Sequence, residues 1–192
     1  MSYGINLVRL PNGIDPQTIA SASEAMDEET ELNPGHPDPA SEEWKRQLVR
    51  ALQAVNPLLE AFPFDFAELA RTEHISEDEA QRRFRHVELN GSDQRTGIQI
   101  TLFDRTATLT VPYWHHGEAA QTVWREIWSY LTVLGREGGL RAYDPQLERV
   151  LSLDTDFDAV IKKYDHGVVV TDEVAANMSE SPTTPKPWWK FW

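Results

Sequence analysis

The pattern of apolar and polar positions predicts alternating sheet and helix from the first residues onward. Residues 3–10 carry apolar side chains on both faces of an extended segment, which is typical of a central strand. Asp15-Pro16 then predicts a short helix that ends near Met26, because Asp caps a helix and Pro fits its first turn.

A second helix is predicted over residues 39–55. Asp38-Pro39 repeats the cap-and-proline signal, and Asn56-Pro57 ends the segment. Its predicted buried face has apolar residues at helical spacing: Trp44, Leu48, Leu52 and Val55. Short helical segments are expected at 65–70 and 76–83.

Three antiparallel strands in succession form the clearest β pattern. They are predicted at 86–89, 97–103 and 107–111, where apolar side chains alternate with polar ones. Turn residues, including Asn90-Gly91, separate them. The strands therefore form a meander.

The strongest helix is predicted over residues 118–136 and ends at Gly138-Gly139. Its apolar stripe comprises Ala120, Val123, Trp124, Ile127, Trp128, Leu131 and Leu134. One or two short strands at 140–143 and 149–153 follow it. A last helix then carries Phe157, Val160, Ile161 and Tyr164 at helical spacing.

This order of elements predicts an α+β fold, a two-layer sandwich. An antiparallel sheet of four to six strands carries two main helices, 39–55 and 118–136, on one face. A three-layer arrangement is the alternative, because the strands at 3–10 and 97–103 are apolar on both faces. We expect one domain over residues 1–170.

Two segments are predicted to lie outside this packed core. Residues 27–39 hold three prolines and five acidic residues, so we expect a mobile loop there. Residues 171–192 are expected to form a flexible polar tail that ends in an aromatic tag.

Composition limits the classes of partner and chemistry. The formal net charge is −13, from 18 basic and 31 acidic residues, which opposes nucleic-acid binding and favours a partner with a basic surface. There is no cysteine, so disulfides and zinc–thiolate sites are excluded. We also expect no transmembrane segment and no signal peptide, which makes the cytoplasm the expected location.

The clearest candidate site is the corner that precedes the long helix, Pro112-Tyr113-Trp114-His115-His116-Gly117. Its aromatic and imidazole groups stand before a helix N-terminus, where free N–H groups attract anions. A binding pocket and a structural corner are both consistent with it. Adjacent histidines match no metal signature, so we expect neither a metal nor a cofactor.

Carboxylates offer a second set of candidates, but they stand beside no nucleophile motif. Asp104, Asp144, Asp154, Asp156 and Asp158 could supply acid–base groups. Helix capping explains the run from 154 to 158, and Asp144-Pro145 is a turn signal. We therefore predict no catalytic residue.

The C-terminal residues are the least ordinary part of the sequence. Trp188, Trp189, Phe191 and Trp192 place four aromatic side chains within five residues, after a polar stretch. Aromatic side chains anchor interfaces, so this tag is a candidate for binding another protein, a second copy of the chain or its own domain.

Three stretches together resemble a group of uncharacterised bacterial proteins. They are MSYGINLVRLPNGIDP at 1–16, the region 88–114 together with the PYWH motif at 112–115, and YDPQ at 143–146. The resemblance implies an immunity or antitoxin-like partner of a toxin, and it carries no functional residue.

Three functional hypotheses follow. The first is a non-enzymatic protein-binding protein, with immunity to a toxin as its most concrete form. The second is a small enzyme or ligand-binding domain with a pocket around Tyr113–Glu118 and Asp144. The third is a self-associating structural protein that forms homo-oligomers through the C-terminal aromatic tag.

Overall fold

The computed structural model describes residues 1–9, 37–91 and 95–180, with side chains described through residue 176. The described part contains seven strands and five helices. The strands are β1 (Ser2–Arg9), β2 (Leu59–Ala61), β3 (Val87–Gly91), β4 (Gln99–Leu102), β5 (Thr106–Pro112), β6 (Leu140–Asp144) and β7 (Arg149–Val150). The helices are α1 (Pro39–Val55), α2 (Phe66–Glu73), α3 (Glu77–Arg83), α4 (Gly117–Gly138) and α5 (Phe157–Glu180).

All described strands join one antiparallel sheet in the order β2-β3-β4-β5-β1-β6-β7. The predicted α+β sandwich and its meander of β3, β4 and β5 are confirmed. The strand count of four to six was too low, because seven strands are present. The unpredicted strand is β2, whose three residues are too few to show an alternating pattern.

The N-terminal strand β1 occupies an inner position, between β5 and β6. Ile5 pairs with Leu109 and Leu7 pairs with Ala107, and all four side chains are buried. Residues directly opposite each other on neighbouring strands share a face of the sheet. This row therefore forms the sheet side of the hydrophobic core.

The long helix α4 buries the predicted stripe from Ala120 to Leu134. It ends at Gly139, which has the left-handed backbone (φ 65°) that favours glycine. A side chain at Gly138 would crowd Leu48 Cδ2 at 3.3 Å, so α1 and α4 approach closely there.

Helix α1 starts as predicted, with the Asp38 side chain accepting from the Ala40 amide at 3.2 Å. Its buried face differs at two positions. Leu48 and Leu52 are buried, but Val55 is 46% exposed and Lys45 is only 1% exposed. The apolar spacing missed Lys45 because its burial depends on charged partners that lie elsewhere in the chain.

Helix α5 corrects the predicted boundary of the tail. It continues to Glu180, so residues 171–180 are helical. The predicted helix at 15–26, loop residues 27–36 and the aromatic tag at 188–192 lie outside the described residues. Within the described part, no helix is both long enough and apolar enough to cross a membrane.

Candidate functional site

The corner between β5 and α4 directs neighbouring side chains to different places. The Tyr113 ring stacks on Tyr164 of α5, with ring centroids 5.3 Å apart and planes 25° apart. Gly167 makes this contact feasible, because a side chain there would overlap Tyr113 Cε1. Tyr113 thus locks the corner onto α5.

Asp144, the second part of the predicted pocket, is fully buried at the end of β6. Its Oδ2 accepts a hydrogen bond from the Tyr3 hydroxyl at 2.6 Å. Its Oδ1 accepts from the backbone amides of Gln146 (2.8 Å) and Leu147 (3.1 Å), which is the Asx-type turn that Asp-Pro signals. The Gln146 side-chain amide, oriented to satisfy its neighbours, donates to Asp144 Oδ1 at 3.0 Å.

Burial raises the pKa of Asp144, and the hydrogen bonds from Tyr3 and from the turn oppose that rise. Burial also raises the pKa of Tyr3, with the hydrogen bond to Asp144 adding to the effect. The pKa of Tyr113 is raised by burial and then by the charge of Asp144. The structure therefore brings Tyr113 and Asp144 together. Tyr3 lies in the same cluster, where it contacts the Tyr113 ring and donates to Asp144.

His115 is buried and tied to the backbone. Its amide donates to the Tyr164 hydroxyl at 3.2 Å, and that hydroxyl donates to the Pro112 carbonyl at 2.5 Å. Its Nε2 lies 2.7 Å from Thr96 O and 2.8 Å from the Trp114 indole nitrogen. One tautomer can satisfy only one of these two contacts, because the first needs a donor and the second an acceptor.

His116 turns away from His115. It is 62% exposed, and its Nε2 lies 3.9 Å from Asp172 Oδ2 on α5. The two imidazoles therefore do not converge on one point. Among the described residues, no group of three His, Asp or Glu side chains is arranged to hold a metal ion.

A buried ionic cluster was not predicted from the sequence. Lys45 Nζ contacts Arg85 O at 2.7 Å, Asp104 Oδ1 at 3.0 Å and Glu42 Oε1 at 2.8 Å. Arg85 also binds Asp104 Oδ2, at 2.6 Å. Two cations face two carboxylates, so the charges of this cluster are balanced. The cluster joins α1 to the β4–β5 turn, and Asp104 therefore has a structural role.

Asp156, in the Asp run before α5, likewise makes structural bonds. Asp156 accepts from the Ser152 amide at 2.8 Å and from Arg149 at 2.7 Å. These bonds close the segment between β7 and α5, and the capping interpretation of residues 154–158 stays a prediction.

Trp114 lies on the outer side of the corner and is 57% exposed. It rests on Gly97, where a side chain would lie 2.5 Å from Trp114 Cζ2. Gly97 also has a left-handed backbone (φ 63°), so two constraints require glycine there. Trp114 is therefore held in place although most of its surface is open.

Trp114 lines a groove of about 490 Å³ at the β2 edge of the sheet. The opposite wall is Phe62, which is 53% exposed, and the polar lining comprises Glu60, Asn90 and Gln99. The sequence analysis found Trp114 but missed the other four. Asn90 was assigned to a turn, and β2 was too short to be recognised.

The far half of α5 is the other open surface. Val168 is its last buried residue, and every described side chain from 172 to 176 is exposed. Val169, Val170 and Val174 are exposed by 54%, 41% and 38%. Exposed valines grouped on one helix are typical of a contact surface.

Comparison of the chain with family models, curated proteins and solved structures finds no match. The resemblance given by the three sequence stretches therefore stays a prediction.

Proposed function

We propose that the chain is a non-enzymatic protein-binding protein that docks a basic partner on the far half of α5. The observation that carries this proposal is the group of exposed valines at 169, 170 and 174, on a helix that continues past its last buried residue. These side chains keep 38–54% of their surface exposed beyond the last buried position of the helix.

The geometry of α5 suits a docking element. About twelve residues follow Val168 within the helix, which corresponds to roughly 18 Å at 1.5 Å per residue. An isolated helix of that length is marginal in water, but here it extends a helix already packed through Val160 and Tyr164. A partner thus meets a preformed helix, which lowers the entropic cost of binding.

The charge on this part of α5 selects the kind of partner. Asp172 and Glu173 lie between Val170 and Val174 in the sequence, and residues 164–180 include no Lys or Arg. Acidic side chains placed among apolar ones complement a basic surface and accelerate its encounter. The net charge of −13 acts in the same direction.

The groups that sequence analysis favoured for chemistry are occupied with structural bonds. Asp144 is saturated by Tyr3 and its own turn, and the two imidazoles diverge. This supports binding over catalysis. In the more concrete form of the proposal, an immunity or antitoxin-like role, the partner is a toxin whose basic active-site surface is covered.

The test is capture from native lysate, with cross-linking to map the contact. We expect the wild-type chain to retain a partner that cross-links to residues on α5. A variant with Val169→Ser, Val170→Ser and Val174→Ser should lose it. The control Val55→Ser changes an equally apolar side chain that is 46% exposed on α1, and it should retain the partner. Equal capture by the triple variant and the wild type would refute the proposal.

The aromatic tag is tested in the same experiment by deleting residues 188–192. Loss of the partner assigns the tag to the interface, together with α5. If, in the absence of any partner, the wild-type chain has the solution mass of an oligomer and the deletion variant that of a monomer, the result supports the self-associating alternative instead.

A further inference from the structure

The groove between Phe62 and Trp114 has a regular polar floor. Glu60 pairs with Asn90, and Asn90 pairs with Gln99, across three neighbouring strands. Directly opposed residues lie on one face of a sheet, about 5 Å apart, so the three side chains form a row. The row lies on the face opposite α1 and α4, because Leu59 and Leu89 beside it point into the core.

The row offers hydrogen-bond acceptors. Gln99 Nε2 donates to Glu88 Oε2 at 3.1 Å, which turns the Gln99 oxygen away from that carboxylate. Within the described part of the chain, Glu60 and Asn90 make no side-chain hydrogen bond. Among the described residues that line the groove, Glu60 is the one charged group and none is Lys or Arg.

The two walls offer aromatic surface. Phe62 and Trp114 are each more than half exposed and line the same groove. The positions of both are fixed: the Phe62 amide donates to Glu88 O at 2.8 Å, and Trp114 rests closely on Gly97. Aromatic faces attract cations, and a planar guanidinium also stacks on them.

Acceptors, one carboxylate and aromatic walls together match a donor-rich planar cation. A phosphate or carboxylate ligand would meet Glu60 without a compensating cation. We propose that this groove binds the guanidinium group of an arginine side chain presented by the basic partner. The source of that arginine rests on the proposed function, whereas the site itself rests on the groove.

The test uses the full chain, labelled with ¹⁵N, and three blocked amino acids as probes. They are Nα-acetyl-arginine amide, the citrulline analogue, which is isosteric and neutral, and the lysine analogue. We expect arginine to shift the Trp114 indole and the Asn90 and Gln99 side-chain resonances saturably, and citrulline to leave them unchanged. Lysine should bind more weakly, because an ammonium cannot stack or donate as a planar fork.

Variants separate the groove from the general acidity of the chain. Glu60→Gln and Phe62→Ala should each weaken arginine binding by about fivefold. The control Glu148→Gln removes the same charge beyond the opposite edge of the sheet, in the β6–β7 turn, and should leave the affinity unchanged. Equal shifts with citrulline, no shift with arginine, or an equal loss in Glu148→Gln would each overturn the site.

Failure of this site is distinguishable from failure of the proposed function. If the arginine probe does not bind in the groove while the triple valine variant loses its partner, the groove assignment alone is wrong. If arginine binds in the groove while the triple variant keeps its partner, docking on α5 is wrong.

Discussion

Tyr113 and Trp114 are neighbours in the chain, but they belong to regions that differ in exposure and in how far their polar groups are hydrogen-bonded. Tyr113 packs into a closed cluster with Tyr3, Tyr164 and the buried Asp144. Trp114 borders an open groove and is 57% exposed. The closed region uses its polar groups to complete the fold, whereas the open one leaves acceptors and aromatic faces available. Chemistry-bearing residue types therefore identify a binding site only when their hydrogen bonds are not already made.

The largest difference between the two regions should appear on removing one large aromatic side chain from each. Trp124 is fully buried against Tyr3, with ring centroids 5.1 Å apart, so Trp124→Ala should lower the free energy of unfolding by about 3–5 kcal/mol. Phe62→Ala, in the groove wall, should lower it by only about 0.5 kcal/mol. Urea denaturation of both variants checks this, and similar losses would contradict the division.

Gly167→Ala tests the closed region by adding a single methyl group. The new carbon would overlap the Tyr113 ring, so the free energy of unfolding should fall by about 1–3 kcal/mol. The matched control is Gly135→Ala, also within a helix, where the nearest atom would lie at an ordinary 3.5 Å. A helix-interior alanine is favoured over glycine, so the control should be neutral or stabilising. If Gly167→Ala behaves like Gly135→Ala in thermal denaturation, Tyr113 does not lock the corner.

Tyr3→Phe removes one hydroxyl from the closed region. Asp144 then loses the donor at its Oδ2, and a buried acceptor without its partner costs about 1–2 kcal/mol. Chemical denaturation measures the loss. In the double variant with Asp144→Ala the two losses should be less than additive, because both substitutions remove the same bond. Additive losses would show that the Tyr3–Asp144 bond contributes little.

The smallest expected effect is that of Asp144→Asn on the pH dependence of the free energy of unfolding. The sign of this effect follows from the raised pKa of Asp144. The folded-state pKa of Asp144 lies above its ordinary value of 3.8, so the folded state holds this proton more tightly than the unfolded state does. The contribution of Asp144 is therefore fully present below pH 3.8 and is lost as pH rises through the raised pKa. Relative to wild type, Asp144→Asn should become more stable across that rise.

Denaturation curves at a series of pH values measure this difference. Val55→Ser changes no titratable group, so it serves as the control and its curve should run parallel to wild type. A wild-type minus Asp144→Asn difference that is flat with pH would contradict the raised pKa.

Local patterns predicted most of the fold. The Asp38 cap, the alternation in β3, β4 and β5, and the stripe on α4 each depend on neighbours within a few residues. The misses depend on distant contacts. Lys45 is buried by partners at 85 and 104, and β2 exists because it pairs with β3.

The candidate site followed the same rule. Sequence reasoning found the corner at 112–117 and the Asx turn at Asp144, because both are local motifs. It could not separate the buried His115 from the exposed His116, since tertiary packing decides which side each one faces. It also could not assemble Glu60, Asn90 and Gln99, which only the strand register brings into one row.

The central claim is that the far half of α5 is a preformed docking surface, and hydrogen exchange of that helix tests it most directly. In the protein alone, amides at 160–168 should exchange slowly and those at 169–176 faster, because side-chain burial ends at Val168. Adding the captured partner should slow exchange at 169–176 and leave β6, which lines neither surface, unchanged. If exchange at 169–176 is unaffected by the partner, the account is wrong.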